Sequence, residues 1–192
     1  MVLQIMNYEL YYRIKTYIFK HLFNIFFKNN FKSFGRKSYI IKPLRIQGAS
    51  YISMGDNVSI NFGTWLGVIK EDKIPNLTIS NGVYIGNFCH FDCIDEIIIG
   101  ENTMLADKVY IGDNSHGYMD KNIPIMDQKL IYKGKVNIGK NCWIGENVSI
   151  LSASIGDNCV VGAGSVVTKD IPRNSIAVGS PAKVVKNVAR AE

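Results

Sequence analysis

The feature that most restricts this chain is a beat of six. Aliphatic or aromatic residues stand six apart at Ile40, Ile46, Ile52 and Val58, at Ile79, Ile85 and Phe91, and at Ile99, Leu105 and Ile111. The beat returns at Ile138, Ile144 and Ile150, then at Ile155, Val161 and Val167. Small or turn-forming residues follow many of them, as in IGNFCH, IGENTM, IGKNCW, IGENVS and IGDNCV. Six residues make one short strand and one tight corner. The aliphatic residue points inward, and Gly, Asn or Asp supplies the backbone freedom of the corner. The Gly, Asn and β-branched content, with no 3.6-residue stripe, speaks against helix here. The expected architecture is an all-β solenoid whose stacked parallel strands bury one continuous column of side chains.

Departures from the beat mark where the solenoid opens. The segment between Val58 and Ile79 contains VIKEDKIPN, a charged excursion with a proline. Two extra residues fall between Phe91 and Ile99, and one is missing between Ile150 and Ile155. The longest interruption, about residues 117–134, begins immediately after His116 in YIGDNSHGYMD. A long loop in a rigid scaffold is more often functional than decorative. The expected organisation is an N-terminal segment over residues 1–35, the solenoid over 36–175 with that excursion, and a C-terminal tail over 176–192.

Composition narrows the class. At 192 residues with 47% hydrophobic content the chain can bury a sizeable core. The four cysteines, Cys89, Cys93, Cys142 and Cys159, form no CxxC pair, so buried structural thiols are expected in place of a zinc or redox site. The net charge of +6 fits anionic partners in general, and no nucleic-acid-binding signature accompanies it. In the N-terminal segment Leu10, Ile14, Tyr17, Ile18, Leu22, Ile25 and Phe26 fall near helical spacing, with Arg13, Lys15, Lys20 and Lys28 between them. That pattern predicts a basic amphipathic helix. Its apolar face either packs on the rest of the protein or rests on an anionic membrane surface through residues 8–28. Within residues 11–37 the longest uncharged run, residues 21–27, is too short to span a bilayer. With no signal-peptide pattern, the expected location is the cytoplasm, with peripheral contact at the inner face of the plasma membrane as the sharper reading.

The in-phase hexads over roughly residues 36–186 resemble the hexapeptide-repeat proteins. That resemblance implies a left-handed parallel β-helix with three hexads per coil, against the usual right-handed crossover rule. The run IIIGENTMLADKVYIGDNSH, the excursion, and VNIGKNCWIGENVSIL resemble the sugar and xenobiotic O-acetyltransferases of that family. His116 then matches the family's general base, and a near-neutral imidazole suits removal of a hydroxyl proton. The C-terminal stretch VVGAGSVVTKDIPRNSIAVGSPAKVVK resembles the acetyl-CoA end. It implies Gly145, Ala163, Thr168, Lys169, Lys183 and Lys186 along the co-substrate, the lysines meeting phosphates as point charges. Asn87, Asp95 and Asn114 are candidate contacts to a sugar acceptor. Relatives often carry a glutamate where this chain reads LIYKGKVNIG, so a partner for His116 is not identified by the resemblance. No metal is expected: a three-histidine zinc site would need more than His90 and His116 beside the helical His21. The expected assembly is a homotrimer, and the expected activity is transfer of acetyl from acetyl-CoA to a sugar hydroxyl, in bacterial surface polysaccharide synthesis. The alternatives are N-acetylation of an amino sugar, acetylation of an antibiotic, or a non-catalytic assembly subunit.

Overall fold

The structure, a computed structural model, describes residues 7–188. The expected tail and N-terminal segment therefore extend at both ends beyond the described residues.

Three sheets of short parallel strands form a left-handed β-helix. The first contains Ser33–Phe34, Ile52–Met54, Asn76–Ile79, Glu96–Ile99 and Val136–Ile138. The second runs from Tyr39–Ile40 through Ser59–Ile60, Tyr84–Ile85, Met104–Leu105, Trp143–Ile144 and Val160–Val161 to Ser175–Val178. The third comprises Arg45–Gln47, Trp65–Val68, His90–Cys93, Tyr110–Gly112, Ser149–Leu151 and Val166–Val167. Lys183–Asn187 turns back antiparallel on Ser175–Val178 and closes the C-terminal end of the second sheet.

Register reproduces the hexads as vertical columns. In the second sheet Ile40, Ile60, Ile85, Leu105, Ile144, Val161 and Ala177 stack in order, and all are fully buried. The third sheet stacks Ile46, Leu66, Phe91, Ile111, Ile150 and Val167. The first stacks Phe34, Met54, Ile79, Ile99 and Ile138. Here two assignments from the sequence are corrected. Ile52 and Val58 are not the column residues; Met54 and Ile60 are. A 3₁₀ turn at Ala49–Tyr51, entered through Gly48 at φ 71°, inserts two residues after Ile46. The slip escapes a count of hydrophobics because the position two before each column residue also points inward. Ile52 and Val58 fill that second layer, as do Cys89, Cys142 and Cys159. The thiols are therefore core residues.

Corners are held by polar ladders. Asn102, Asn141, Asn158 and Asn174 all have φ near +56°, a left-handed conformation Asn tolerates well. Asn141 donates to Asn158 at 3.4 Å, and Asn158 donates to Asn174 at 3.1 Å.

The helix Tyr8–Phe27 begins at Asn7, whose side chain accepts from the Glu9 amide at 2.9 Å. It lies against the first coils through Asn24, which donates to the Ser38 carbonyl at 2.8 Å, and through Phe23 against Phe31. Its apolar stripe faces away from the protein, with Leu10, Ile14, Tyr17, Ile18, Leu22 and Ile25 all exposed. No helix among the described residues is long and apolar enough to cross a membrane.

Candidate active site

His116 does not dangle at the mouth of a loop. Asn114–His116 forms an antiparallel pair with Leu130–Tyr132, with His116 opposite Leu130. The excursion is thus a built hairpin that leaves the third sheet after Gly112. Its far end is braced by Gln128, whose amide donates to the carbonyls of Asp120 and Ile123, both at 2.8 Å. The His116 side chain is exposed at the hairpin edge. Among the described residues no side chain hydrogen-bonds its imidazole.

The hairpin is anchored by a residue that no sequence motif singled out. Asp113 is completely buried. One carboxylate oxygen accepts from the Ile94 amide at 2.9 Å and from Asn114 Nδ2 at 3.0 Å. The other accepts from the Asp95 and Glu96 amides at 2.9 and 3.0 Å. A buried carboxylate is tolerated when N–H donors surround it, and here those donors belong to the corner of the preceding coil. Asn114 continues the clamp by donating to the Asp92 carbonyl at 2.9 Å. Its side-chain oxygen is buried without a hydrogen-bond partner among the described residues. The root of the strand bearing His116 is therefore fixed to the solenoid by side-chain bonds as well as by the sheet. Beside Asp113, burial first and then the neighbouring carboxylate push the Cys93 thiol far up, so it stays protonated.

A second unforeseen feature covers the outer face of the third sheet. Arg45, Trp65, His90 and Tyr110 occupy one outward column, each one residue before an inward column residue. The Arg45 guanidinium stands 5.4 Å from the Trp65 ring. Trp65 and His90 stack at 4.4 Å, and His90 meets Tyr110 edge-on at 5.3 Å. Burial lowers the His90 pKa below its usual value, with Asp92 opposing the shift. Glycines at 67 and 112 make room for the rings, since a Cβ at Gly112 would lie 2.6 Å from the Tyr110 hydroxyl. The signal in the sequence is the recurrence of large side chains one position before the hexad residue.

The other expected site residues divide into groups. Gly145 and Ala163 touch across adjacent coils: a Cβ on Gly145 would stand 2.6 Å from the Ala163 amide nitrogen. Thr168 and Lys169 follow directly on Val166–Val167, where the Ala182 amide donates to the Val166 carbonyl at 2.8 Å and brings the tail alongside. Lys183 and Lys186 are exposed on the closing strand, paired with Val178 and Ile176. Gly112 pairs with Leu151 and Val167 with Ile150, so Thr168 sits two coils beyond the root of the hairpin, about 10 Å at ordinary strand spacing. Small residues with an open surface beside Gly164, and lysines without an ion pair among the described residues, fit a long thiol arm ending in phosphates. Asn87 is elsewhere, at a corner between the second and third sheets, with its amide on the Asp107 carboxylate at 3.1 and 3.2 Å. Asp95 pairs with Lys73 at 3.0 Å. Asp95 and Lys73 line a cleft of about 110 Å³ shared with Leu130 and Tyr132 of the hairpin. Asn114 adjoins His116 in sequence but turns inward. Larger clefts, of about 390 and 250 Å³, lie along the helix seam and contain no His116. Among the described residues no three His, Cys, Asp or Glu side chains are grouped to hold a metal ion.

The chain has relatives among known proteins. Residues 135–169 match the model of the hexapeptide repeat of succinyl-transferase. The chain is 34% identical over 161 residues to the putative lipopolysaccharide biosynthesis O-acetyl transferase WbbJ of Escherichia coli K12, covering 80% of this chain and 81% of that one. The chain belongs to the hexapeptide-repeat acetyltransferases. Within that family it falls on the sugar O-acetyltransferase branch. The maltose O-acetyltransferase of Clostridium difficile 630 superposes with a TM-score of 0.60 at 30% identity, over 94% of this chain and 86% of that one. The N-acyltransferase AntD of Bacillus cereus, solved with dTDP and coenzyme A, shares the fold with a TM-score of 0.70 at 23% identity, over 85% and 88%. The reaction named for the sugar-acting relatives is acetyl transfer to oxygen.

Proposed function

We propose that this protein transfers acetyl from acetyl-CoA to a hydroxyl of a sugar in a bacterial surface-polysaccharide precursor, with His116 as general base. The observation that carries the reading is the presentation of His116: an exposed imidazole on a hairpin whose root is clamped by buried Asp113. General-base catalysis needs an accessible ring on a fixed support, and the exposed side chain on a clamped hairpin root favours that reading.

On this reading His116 removes the acceptor hydroxyl proton as that oxygen attacks the thioester carbonyl carbon. Collapse of the tetrahedral intermediate breaks the carbon–sulfur bond, and the imidazolium returns its proton to the departing thiolate. Gly145, Ala163 and Thr168 would lie along the pantetheine arm, and Lys169, Lys183 and Lys186 near the phosphates. The Trp65–His90–Tyr110 column and the cleft holding Asp95 and Tyr132 flank the hairpin on the acceptor side, where apolar ring edges suit the C–H face of a sugar. The active unit is a homotrimer in this proposal, with the neighbour supplying the group that orients the His116 ring. Similarity to the lipopolysaccharide O-acetyl transferase over four-fifths of both chains supports the choice of acceptor.

The test is acetyl-CoA turnover, followed as free thiol release with and without extracted surface glycan, for the wild type and His116→Ala. Glycan-dependent release that disappears in His116→Ala is the expected result. Equal turnover by both proteins would remove His116 from the mechanism. Failure of the wild type to bind coenzyme A would remove the co-substrate assignment.

A further inference from the structure

The N-terminal helix is arranged inside out. A surface helix ordinarily turns its apolar stripe to the core and its polar face to water. Here the half-buried side of Tyr8–Phe27 carries Lys15, Thr16, Phe19, Lys20, Phe23 and Asn24, and no residue of the helix is fully buried. The attachment is made by the Asn24–Ser38 hydrogen bond, by Phe23 against Phe31 and by cation–π contacts. Lys20 Nζ stands 4.7 Å from the Tyr39 ring and Lys42 Nζ 3.8 Å from the Phe19 ring. The outward side presents Leu10, Ile14, Tyr17, Ile18, Leu22 and Ile25 along one stripe, with Ile25 68% and Tyr17 61% exposed. Packing on the β-helix, one of the two expectations for this stripe, is not what the structure shows.

Charge selects the occupant. Residues 1–55 contain nine Lys and Arg against the single acid Glu9, a net of +8, while the chain as a whole carries +6. The remaining residues are thus net −2, and the positive balance belongs to the helix and the first coil. Arg13 and Lys28 flank the stripe and are exposed. A second copy of the helix would bring like charges together across an apolar seam. An anionic bilayer surface satisfies both features, with acyl chains taking the stripe and headgroups the cations. Tyr8, Tyr11 and Tyr12 at the N-terminal end suit the interface, where an aromatic ring keeps its hydroxyl wet.

We propose that the outward face of the helix Tyr8–Phe27 seats this protein in the plane of an anionic membrane surface without crossing it. The proposal is independent of His116 and of the acetyl acceptor. Its test uses the full chain in co-sedimentation with vesicles of phosphatidylcholine alone or mixed with phosphatidylglycerol. The wild type is expected to pellet with the mixed vesicles and to remain in solution with the neutral ones, and added salt should weaken binding. Ile18→Glu/Leu22→Glu should lower the affinity at least about tenfold, and Arg13→Glu/Lys28→Glu should lower it while abolishing the lipid-charge preference. Both variants change outward residues, so their thermal unfolding midpoints should match the wild type. Wild-type protein that stays in solution with the mixed vesicles overturns the proposal. So does Ile18→Glu/Leu22→Glu protein that pellets equally well, or a stripe whose disruption dissociates the oligomer in sedimentation velocity while vesicles are ignored.

Discussion

The backbone and the side chain of His116 have separate duties. The backbone pairs with Leu130 in the hairpin, and the exposed ring makes no hydrogen bond among the described residues. On the proposed mechanism His116→Ala should lower kcat by about 10² to 10⁴ with the unfolding midpoint unchanged. Asp113 is the reverse case. Its carboxylate faces the amides of Ile94, Asp95 and Glu96 in a site closed to water. Asp113→Ala should cost about 3 to 5 kcal/mol by leaving those donors buried and unpaired, read from urea unfolding, and should depress activity through the hairpin. The core thiols give a pH signature. Burial raises Cys89 and Cys142 from 9.0 to about 11, so the folded state keeps its thiol protons where the unfolded chain has released them. The stability they confer is complete below pH 9 and is lost as pH rises from 9 through 11. Unfolding midpoints measured across that window should fall, and Cys89→Ala/Cys142→Ala should flatten the fall.

At the scale of elements, the coil is the unit of stability and the corner is where it is most easily broken. Phe91 is completely buried in the third-sheet column between Leu66 and Ile111. Phe91→Ala should destabilise by about 3 to 5 kcal/mol, measured by denaturant unfolding, because the neighbouring coils cannot close over the void without losing register. Gly145 makes a different demand. Any side chain there meets the Ala163 backbone of the next coil, so Gly145→Val should push the two coils apart locally. Under the proposed co-substrate placement its KM for acetyl-CoA rises by more than its unfolding midpoint suffers. The hexads with their Gly and Asn corners were legible as strands and turns because both signals are local. The hairpin was legible only as an interruption. Its antiparallel partner, Leu130–Tyr132, lies fourteen residues from His116 and carries no alternation that separates it from loop. The phase slip at Ile52 and Val58 has a similar origin: two inward layers per strand make one apolar position resemble the other.

For the whole molecule, membrane contact and co-substrate phosphates are proposed at opposite ends of the solenoid. The cationic helix and first coil stand at one end, and the lysine-bearing closing strand Lys183–Asn187 stands at the other. On the proposed co-substrate placement, Lys183→Ala/Lys186→Ala should raise the KM for acetyl-CoA about tenfold with kcat little changed, and the effect should shrink as salt increases. Kinetics at two ionic strengths decide it. The same change should leave vesicle binding untouched, because the cations for that task are at the opposite end.

Sequence alone determined the solenoid, its columns from Ile79 onward, the buried state of the thiols and the place where the repeat stops at His116. Each of these depends on residue type at a fixed spacing, which a one-dimensional string records in full. Only the tertiary structure decided that Asp113 is buried against the amides of another coil, that Asn87 is committed to Asp107, and that the helix turns its apolar stripe outward. Those outcomes depend on which corner lies above which and on the face a helix offers to its support. Such contacts join residues about twenty apart through a register that one inserted pair near Gly48 is enough to shift.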